Sequence, residues 1–119
     1  KMTDQKELEQ VVGMLQLKNQ QLQSILIQKQ TLAMQKNEIE KALQDLDKCG
    51  DDIYKSVGPI LVKTGKAQIK KELEENLEDI DLKVQSLERQ EKKLKEKLKE
   101  SQEKFKELIP RGEEVGQGG

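Results

Sequence analysis

This chain of 119 residues is strongly polar: 38% of its residues are charged, 33% are hydrophobic and none is tryptophan. So few large apolar side chains cannot fill a thick globular core, and we expect burial in thin seams between elements. The net charge of −1 provides no overall basic field, so we expect neither a nucleic-acid partner nor a membrane partner.

The lengths of the apolar runs and the number of cysteines indicate in which cellular environment the protein works. No uninterrupted apolar run is longer than three residues, as at residues 25–27 and 60–62, which is too short to span a bilayer. No charged-then-apolar signal peptide opens the chain, and the single cysteine, Cys49, excludes an internal disulfide and suits a reducing environment. We therefore expect a reducing compartment, and we expect Cys49 to be a small, semi-buried residue at a helix end.

The first predicted element is a long helix over residues 4–49. Asp4 with Glu7 resembles a capping box, and Cys49-Gly50 offers a glycine stop. Two rows of a heptad repeat run along this helix. Most of their positions are apolar, which is typical of a coiled coil. The rows are Leu8, Leu15, Leu22, Lys29, Lys36 and Leu43, and Val11, Lys18, Ile25, Leu32, Ile39 and Leu46.

Residues 50–65 interrupt this pattern and predict a β-hairpin. Two β-rich runs, residues 53–57 and 60–64, flank Gly58-Pro59, a two-residue link of the kind found in type II′ turns. Both faces of such a hairpin carry apolar groups and both edges are open, so it favours pairing with hairpins of other chains. The predicted oligomerisation residues are Ile53, Tyr54, Val57, Gly58, Pro59, Ile60, Leu61 and Val62.

The second helix is predicted over residues 66–109 and repeats the heptad. Pro110 ends it, and residues 110–119 are expected to form a disordered tail. Its two rows are Leu77, Val84, Glu91, Leu98 and Phe105, and Leu73, Ile80, Leu87, Leu94, Ser101 and Leu108. The rows of the two helices together are called the seam below.

The two helices have matched lengths, about 66 Å each at 1.5 Å per residue. Joined by a compact connector, they can fold back as one antiparallel coiled coil with both chain ends at the far tip. This pairing places Leu8 near Phe105, Leu15 near Leu98, and Leu43 near Lys70. The predicted fold class is therefore mainly α: a long antiparallel two-helix coiled coil with a central β-hairpin that pairs with other chains.

Catalysis has no support in the sequence. There is no histidine, no phosphate-binding glycine loop of the usual form and no nucleophile with an evident base. Cys49 with Asp51 and Asp52 falls short of a tetrahedral zinc set. We expect neither an enzyme nor a bound cofactor or metal.

The hairpin and the return helix resemble a known family. YKSVGPILVK at residues 54–63 and LERQEKKLKEKLKE at residues 87–100 are similar to the β-type subunit of prefoldin, and the resemblance covers the chain from about Leu8 to Ile109. One β-hairpin rather than two points to the β type. The compact length is more typical of archaeal members.

The resemblance implies an ATP-independent cytosolic chaperone that holds unfolded proteins. Two α-type and four β-type subunits of the archaeal form join their hairpins into a double β-barrel body, from which six coiled coils extend. The coiled-coil tips hold unfolded client proteins and pass them to a group II chaperonin. The implied client-binding tip comprises Leu8, Val11, Val12, Leu15, Phe105, Leu108 and Ile109.

Apolar residues outside the seam are concentrated in the first helix. The first helix carries Val12, Met14, Leu17, Leu26, Ile27 and Met34, whereas the second has few, notably Leu82 and Ile109. One interpretation is a broader packed stripe or ordinary scattered surface residues. The other is an adaptable apolar wall for clients, to which flexible methionines are suited.

Two other functions fit parts of the pattern. A structural coiled-coil scaffold, including a filament-forming prefoldin relative, would share the seam and the hairpin but would assemble alone into long polymers. A nucleic-acid-binding helical arm would need a net basic face and usually a larger catalytic body, so it ranks last.

Overall fold

A computed structural model describes residues 2–109 as two long helices that flank a β-hairpin. The elements in chain order are α1 (Met2–Lys48), β1 (Ile53–Val57), β2 (Ile60–Thr64) and α2 (Lys66–Leu108). The predicted fold class, a mainly α chain with a central hairpin, is confirmed. The predicted disordered tail, residues 110–119, lies outside the described residues.

The start of α1 differs from the sequence expectation. The helix already includes Met2, so Asp4 lies in its first turn instead of preceding it as an N-cap. The capping-box interpretation of Asp4 with Glu7 is therefore wrong. An acidic side chain in the first turn still stabilises the helix, because it interacts favourably with the positive end of the helix dipole.

α1 ends near the expected glycine stop, but its C-terminal carbonyl groups are not capped by a glycine. Gly50 does not have the positive φ of a glycine cap; among the described glycines, only Gly58 does. Instead, Cys49 N donates to Leu46 O at 3.2 Å, and Lys66 Nζ donates to the carbonyl oxygens of Asp47 and Cys49 at 3.4 and 3.1 Å. Lys66 thereby satisfies carbonyls that have no partner within α1. Cys49 itself is exposed, which corrects the expectation of a semi-buried residue.

The seam positions are the covered positions of both helices. Each of them is buried or half-buried, including the lysines, Glu91 and Ser101. The most covered residues belong to one row of each helix, and their exposed fractions are 5% to 7%. They are Val11, Ile25, Leu46, Ile80 and Leu87. Heptad spacing therefore identified the packing face of both helices correctly.

The chain divides into two compact units. One contains residues 2–27 and 87–109, with Val11, Ile25 and Leu87 as its buried residues. In this unit the seam residue Glu91 forms an ion pair with Lys95 at 3.7 Å on the same helix. That pair offsets part of the cost of placing a carboxylate at the seam.

The other unit contains residues 28–86 and includes the hairpin. Lys36 Nζ of α1 lies 3.0 Å from Asp81 Oδ1 of α2, and the hydrogen bond to Asp81 raises the pKa of Lys36. Since Lys66 contacts Asp47 in the same unit, later α1 residues meet earlier α2 residues, as an antiparallel pair requires. Asp81 lies one helical turn from Leu77, the residue that the predicted pairing places opposite Lys36, and a lysine side chain spans such a distance.

The hairpin has the predicted register. Val57 pairs with Ile60, Lys55 with Val62 and Ile53 with Thr64 in an antiparallel two-stranded sheet. Gly58 has φ 56°, the positive value that the first central residue of a type II′ turn needs. The two-residue link therefore fixed which residues lie opposite one another.

Candidate functional site

The hairpin exposes large apolar side chains on both faces. Leu61 is 71% exposed and Tyr54 58%, and they lie on the face opposite to that of Val57, Ile60 and Val62. The last three residues are between 43% and 58% exposed. We call these five residues the hairpin surface. Of the other predicted oligomerisation residues, Gly58 and Pro59 are exposed at the turn and Ile53 is half-buried at the base.

The backbone of the hairpin adds to this surface. Within residues 2–109 the sheet has two strands, so each strand pairs along one edge only. The other edge of each strand presents N–H and C=O groups, which can pair with a further strand. Exposed apolar faces and open edges together make the hairpin suited to building a larger sheet with other chains.

Two ion pairs link the strands of the hairpin to neighbouring parts of the chain. Lys55 Nζ of β1 lies 3.0 Å from Glu72 Oε2 of α2, and Lys63 Nζ of β2 lies 3.5 Å from Asp52 Oδ1. Sequence reasoning did not find the contacts of Glu72 or Lys66. Their partners are 17 to 19 residues away, and no local motif marks them.

The predicted tip residues lie in one compact unit and belong mostly to the seam. Val11 is buried at 7% exposure, and the other six are half-buried. In this conformation Val11 packs within the protein, and access to it requires the local seam to open. The assignment of these residues to client binding stays a prediction.

Apolar residues outside the seam are more accessible than the predicted tip residues. On α1, Met14 is 47% exposed, Leu17 49%, Leu26 42%, Ile27 60% and Met34 66%. Leu82 of α2 is 57% exposed. These six residues are therefore exposed and are not part of a broader packed stripe, whereas Val12 and Ile109, the other two predicted residues outside the seam, are half-buried.

Other kinds of site find no support in the described part of the chain. Residues 2–109 contain no group of three or more Cys, Asp or Glu side chains placed to hold a metal ion. None of the described helices is both long and apolar enough to cross a membrane.

Comparison with known proteins agrees with this architecture. The sequence model of a family described as "Prefoldin subunit" matches residues 9–111, so the chain belongs to the prefoldin family and is a prefoldin-type chaperone subunit. The crystal structure of the prefoldin beta subunit from Thermococcus strain KS-1 is similar, with 39% sequence identity and a TM-score of 0.78. The match covers 87% of this chain and 94% of the Thermococcus chain. Together with the single hairpin, it identifies a β-type subunit. A comparison with curated proteins finds no match.

Proposed function

We propose that this subunit binds unfolded proteins without ATP and delivers them to a group II chaperonin. The observation that carries the proposal is the hairpin surface, whose apolar residues are 43% to 71% exposed on a sheet with open edges. A hairpin of this kind is marginal alone in water, so it is a joint between chains. Prefoldin subunits assemble into hetero-oligomers, which agrees with this interpretation.

The partners at the joint are an α-type prefoldin subunit and further β-type copies. Their hairpins combine in a β-barrel body of a cytoplasmic hetero-hexamer of the archaeal kind. Pairing along the open edges satisfies the strand N–H and C=O groups, and packing across both faces covers Leu61 and Tyr54 on one side and Val62 on the other. Such a body carries several coiled coils that can hold one client together.

Client binding is assigned to the tip residues Leu8, Val11, Val12, Leu15, Phe105, Leu108 and Ile109. Six of the seven are half-buried, so part of each side chain is accessible without unfolding. The seam is thin, and its local opening would expose more apolar surface for a non-native chain.

A structural scaffold that polymerises through the same hairpin is the second candidate function. It would use the same seam and the same exposed strand edges. Native mass spectrometry of the chain, with and without an α-type subunit from the same proteome, distinguishes the two. A closed hexamer with the α-type subunit supports the chaperone, and long polymers formed by the chain alone contradict it.

The decisive experiment measures client capture by the assembled protein. A chemically denatured test protein is diluted into buffer without ATP, and light scattering follows its aggregation. We expect suppression at stoichiometric amounts of the assembly. Unchanged scattering at an excess of assembly would contradict the chaperone function.

The tip assignment is tested by removing residues 1–16 and 103–119. This deletion removes the seven tip residues and leaves the hairpin intact, so assembly should persist while client capture falls. Full capture by the shortened assembly would overturn the tip assignment.

A further inference from the structure

One face of the hairpin carries a single charged residue, Lys55, among apolar neighbours. Side chains alternate between the two faces of a strand, so Ile53 and Val57 lie beside Lys55 on the same face of β1. Val62 lies directly opposite Lys55 on β2. We call this side of the hairpin the valine face, and its members are Ile53, Lys55, Val57, Ile60, Val62 and Thr64.

A free ammonium group at this position opposes packing of the valine face against another chain. Val57, Ile60 and Val62 are 43% to 58% exposed, so the face gains stability when it is covered. The charge of Lys55 loses its hydration at the same moment, and this loss costs free energy unless a partner compensates it. A lysine in the middle of β1 therefore conflicts with the role of the hairpin as a joint between chains.

Glu72 of α2 provides the compensating partner. Lys55 Nζ lies 3.0 Å from Glu72 Oε2, so the ammonium is held beside α2 and the apolar stem of Lys55 remains on the valine face. Gln68, one turn earlier on α2, donates from Nε2 to Glu72 Oε1 at 3.2 Å and so fixes the carboxylate in place. The acceptor for the lysine is thus built by the first turns of the helix.

The charged residue of the opposite face is arranged differently. Lys63 Nζ lies 3.5 Å from Asp52 Oδ1, and the two side chains are 66% and 82% exposed. The side chains of Lys55 and Glu72 are less open to water, at 47% and 34%. An ion pair as exposed as that of Lys63 keeps its hydration and contributes little. The closer and better supported pair therefore belongs to the valine face.

We propose that Glu72 is a positioning residue for subunit assembly, which holds the charge of Lys55 away from the valine face so that this face packs against a hairpin of another prefoldin subunit. The inference rests on the joint between hairpins proposed above. A fixed partner of this kind fits better than an unfolded client. A client of variable sequence can be met by a mobile, hydrated lysine, whereas a dry joint of defined geometry requires the charge to be neutralised in one place.

The test measures assembly of full-length variants with an α-type subunit from the same proteome. Each mixture is diluted in steps, and native mass spectrometry gives the concentration at which half of the assembly has dissociated. We expect Glu72→Ala to raise this concentration about tenfold or more, because it leaves an unpaired ammonium in the joint. The matched control is Glu75→Ala, which removes an exposed glutamate one turn further along α2 and should change the value by less than about twofold.

Lys55→Met separates neutralisation of the charge from a merely structural role of the ion pair. Methionine keeps an unbranched apolar stem without the ammonium, so we expect Lys55→Met alone to assemble like the wild type. In combination with Glu72→Ala it should restore the assembly that Glu72→Ala loses. If Glu72 served assembly only by orienting the hairpin, the double variant would assemble no better than Glu72→Ala.

Three results would overturn the inference. Equal assembly by wild type and Glu72→Ala would show that the charge of Lys55 does not hinder the joint. Failure of Lys55→Met to rescue Glu72→Ala would show that the pair acts by orientation. Weak assembly of Lys55→Met alone would show that the ammonium itself contacts the partner.

In each of these cases the wild type still assembles and suppresses aggregation, so the proposed function stands. Failure of the wild type to form a hetero-oligomer would overturn the joint between hairpins, and this inference with it.

Discussion

Lys55 in the middle of β1 and Glu72 near the start of α2 form an ion pair, with 3.0 Å between Lys55 Nζ and Glu72 Oε2. Gln68 Nε2 donates to the other carboxylate oxygen, Oε1, at 3.2 Å. Both oxygens of Glu72 therefore accept a hydrogen bond, one from the hairpin and one from its own helix. The pair orients the hairpin relative to the first turns of α2.

The first prediction is that the contribution of Glu72 to stability depends on pH, because both of its carboxylate oxygens accept hydrogen bonds. The pKa of Glu72 lies below its ordinary value of 4.5, with the hydrogen bond from Lys55 as the largest cause and that from Gln68 as the next. A carboxyl whose pKa is lower in the folded than in the unfolded chain adds stability above about pH 4.5, and this contribution is lost as the pH falls through the folded-state pKa. We expect Lys55→Met to raise the pKa of Glu72 toward the ordinary value, as measured by NMR titration.

Lys63→Met is the control for that titration, because Lys63 pairs with Asp52 and should leave Glu72 unaffected. The Lys55–Glu72 pair is partly exposed to solvent, so high salt should reproduce part of the pKa rise in the wild type. A Glu72 pKa that does not respond to Lys55→Met would show that the pair does not form in solution.

The second prediction concerns the thin seam. Ile80 is 6% exposed, whereas Leu82, two residues further along α2, is 57% exposed. We expect Ile80→Ala to lower the free energy of unfolding by about 2 to 3 kcal/mol, because it leaves a cavity between the helices. Leu82→Ala should change it by less than about 0.5 kcal/mol. Urea unfolding followed by circular dichroism measures both, and equal losses would mean that the heptad rows do not define the packing.

The periodic and short-range features of this chain were predictable from its sequence. Heptad spacing gave the covered face of each helix because residues three and four apart share a face. The Gly58-Pro59 link gave the strand register because a two-residue turn permits only one pairing of its neighbours.

Features that depend on distant side chains were not predictable. Lys66 reaches the end of α1 only once the hairpin has brought the two segments together, and nothing local to Cys49 or Gly50 indicates that contact. Exposure outside the seam also needed the structure. Periodicity alone cannot distinguish a packed residue beside the seam from an exposed one, which is why Met14 and Leu17 had two interpretations.

The third prediction uses two glycines at which an added methyl group meets no atom within 4 Å beyond its chain neighbours and the backbone of its own helical turn. Gly13 lies inside α1, where glycine is a poor helix former. We expect Gly13→Ala to raise the free energy of unfolding by about 0.5 to 1 kcal/mol.

Gly58 is the matched control, because the same substitution there should lower the free energy of unfolding instead of raising it. At its φ of 56°, alanine costs roughly 1 to 2 kcal/mol, although the space is equally open. Circular dichroism melting of both variants measures the two changes in stability, and the native mass of Gly58→Ala shows whether assembly is affected. Stabilisation by Gly58→Ala would contradict the turn conformation.

The fourth prediction separates assembly from helix formation. Val62 is 43% exposed on β2 and lies opposite Lys55. An aspartate at position 62 faces a lysine in the isolated hairpin, which tolerates it as a cross-strand pair of opposite charge. If the hairpin surface packs against other chains, however, Val62→Asp places a charge in that interface, at a cost of several kcal/mol. We therefore expect Val62→Asp to break up the assembly, which native mass spectrometry would show as a much lower mass than that of the wild-type assembly.

Circular dichroism should show that Val62→Asp keeps its helical content, because the seam residues of α1 and α2 lie outside the hairpin. Val62→Thr is the matched control: it keeps the β-branched shape and strand preference of valine without adding a charge, and it should retain the wild-type native mass. Any loss of helix in Val62→Asp would mean that the coiled coil depends on assembly through the hairpin. Wild-type native mass in Val62→Asp would show that this face of the hairpin is not the joint between subunits, and the joint would then have to lie along the open strand edges or on the face that carries Tyr54 and Leu61.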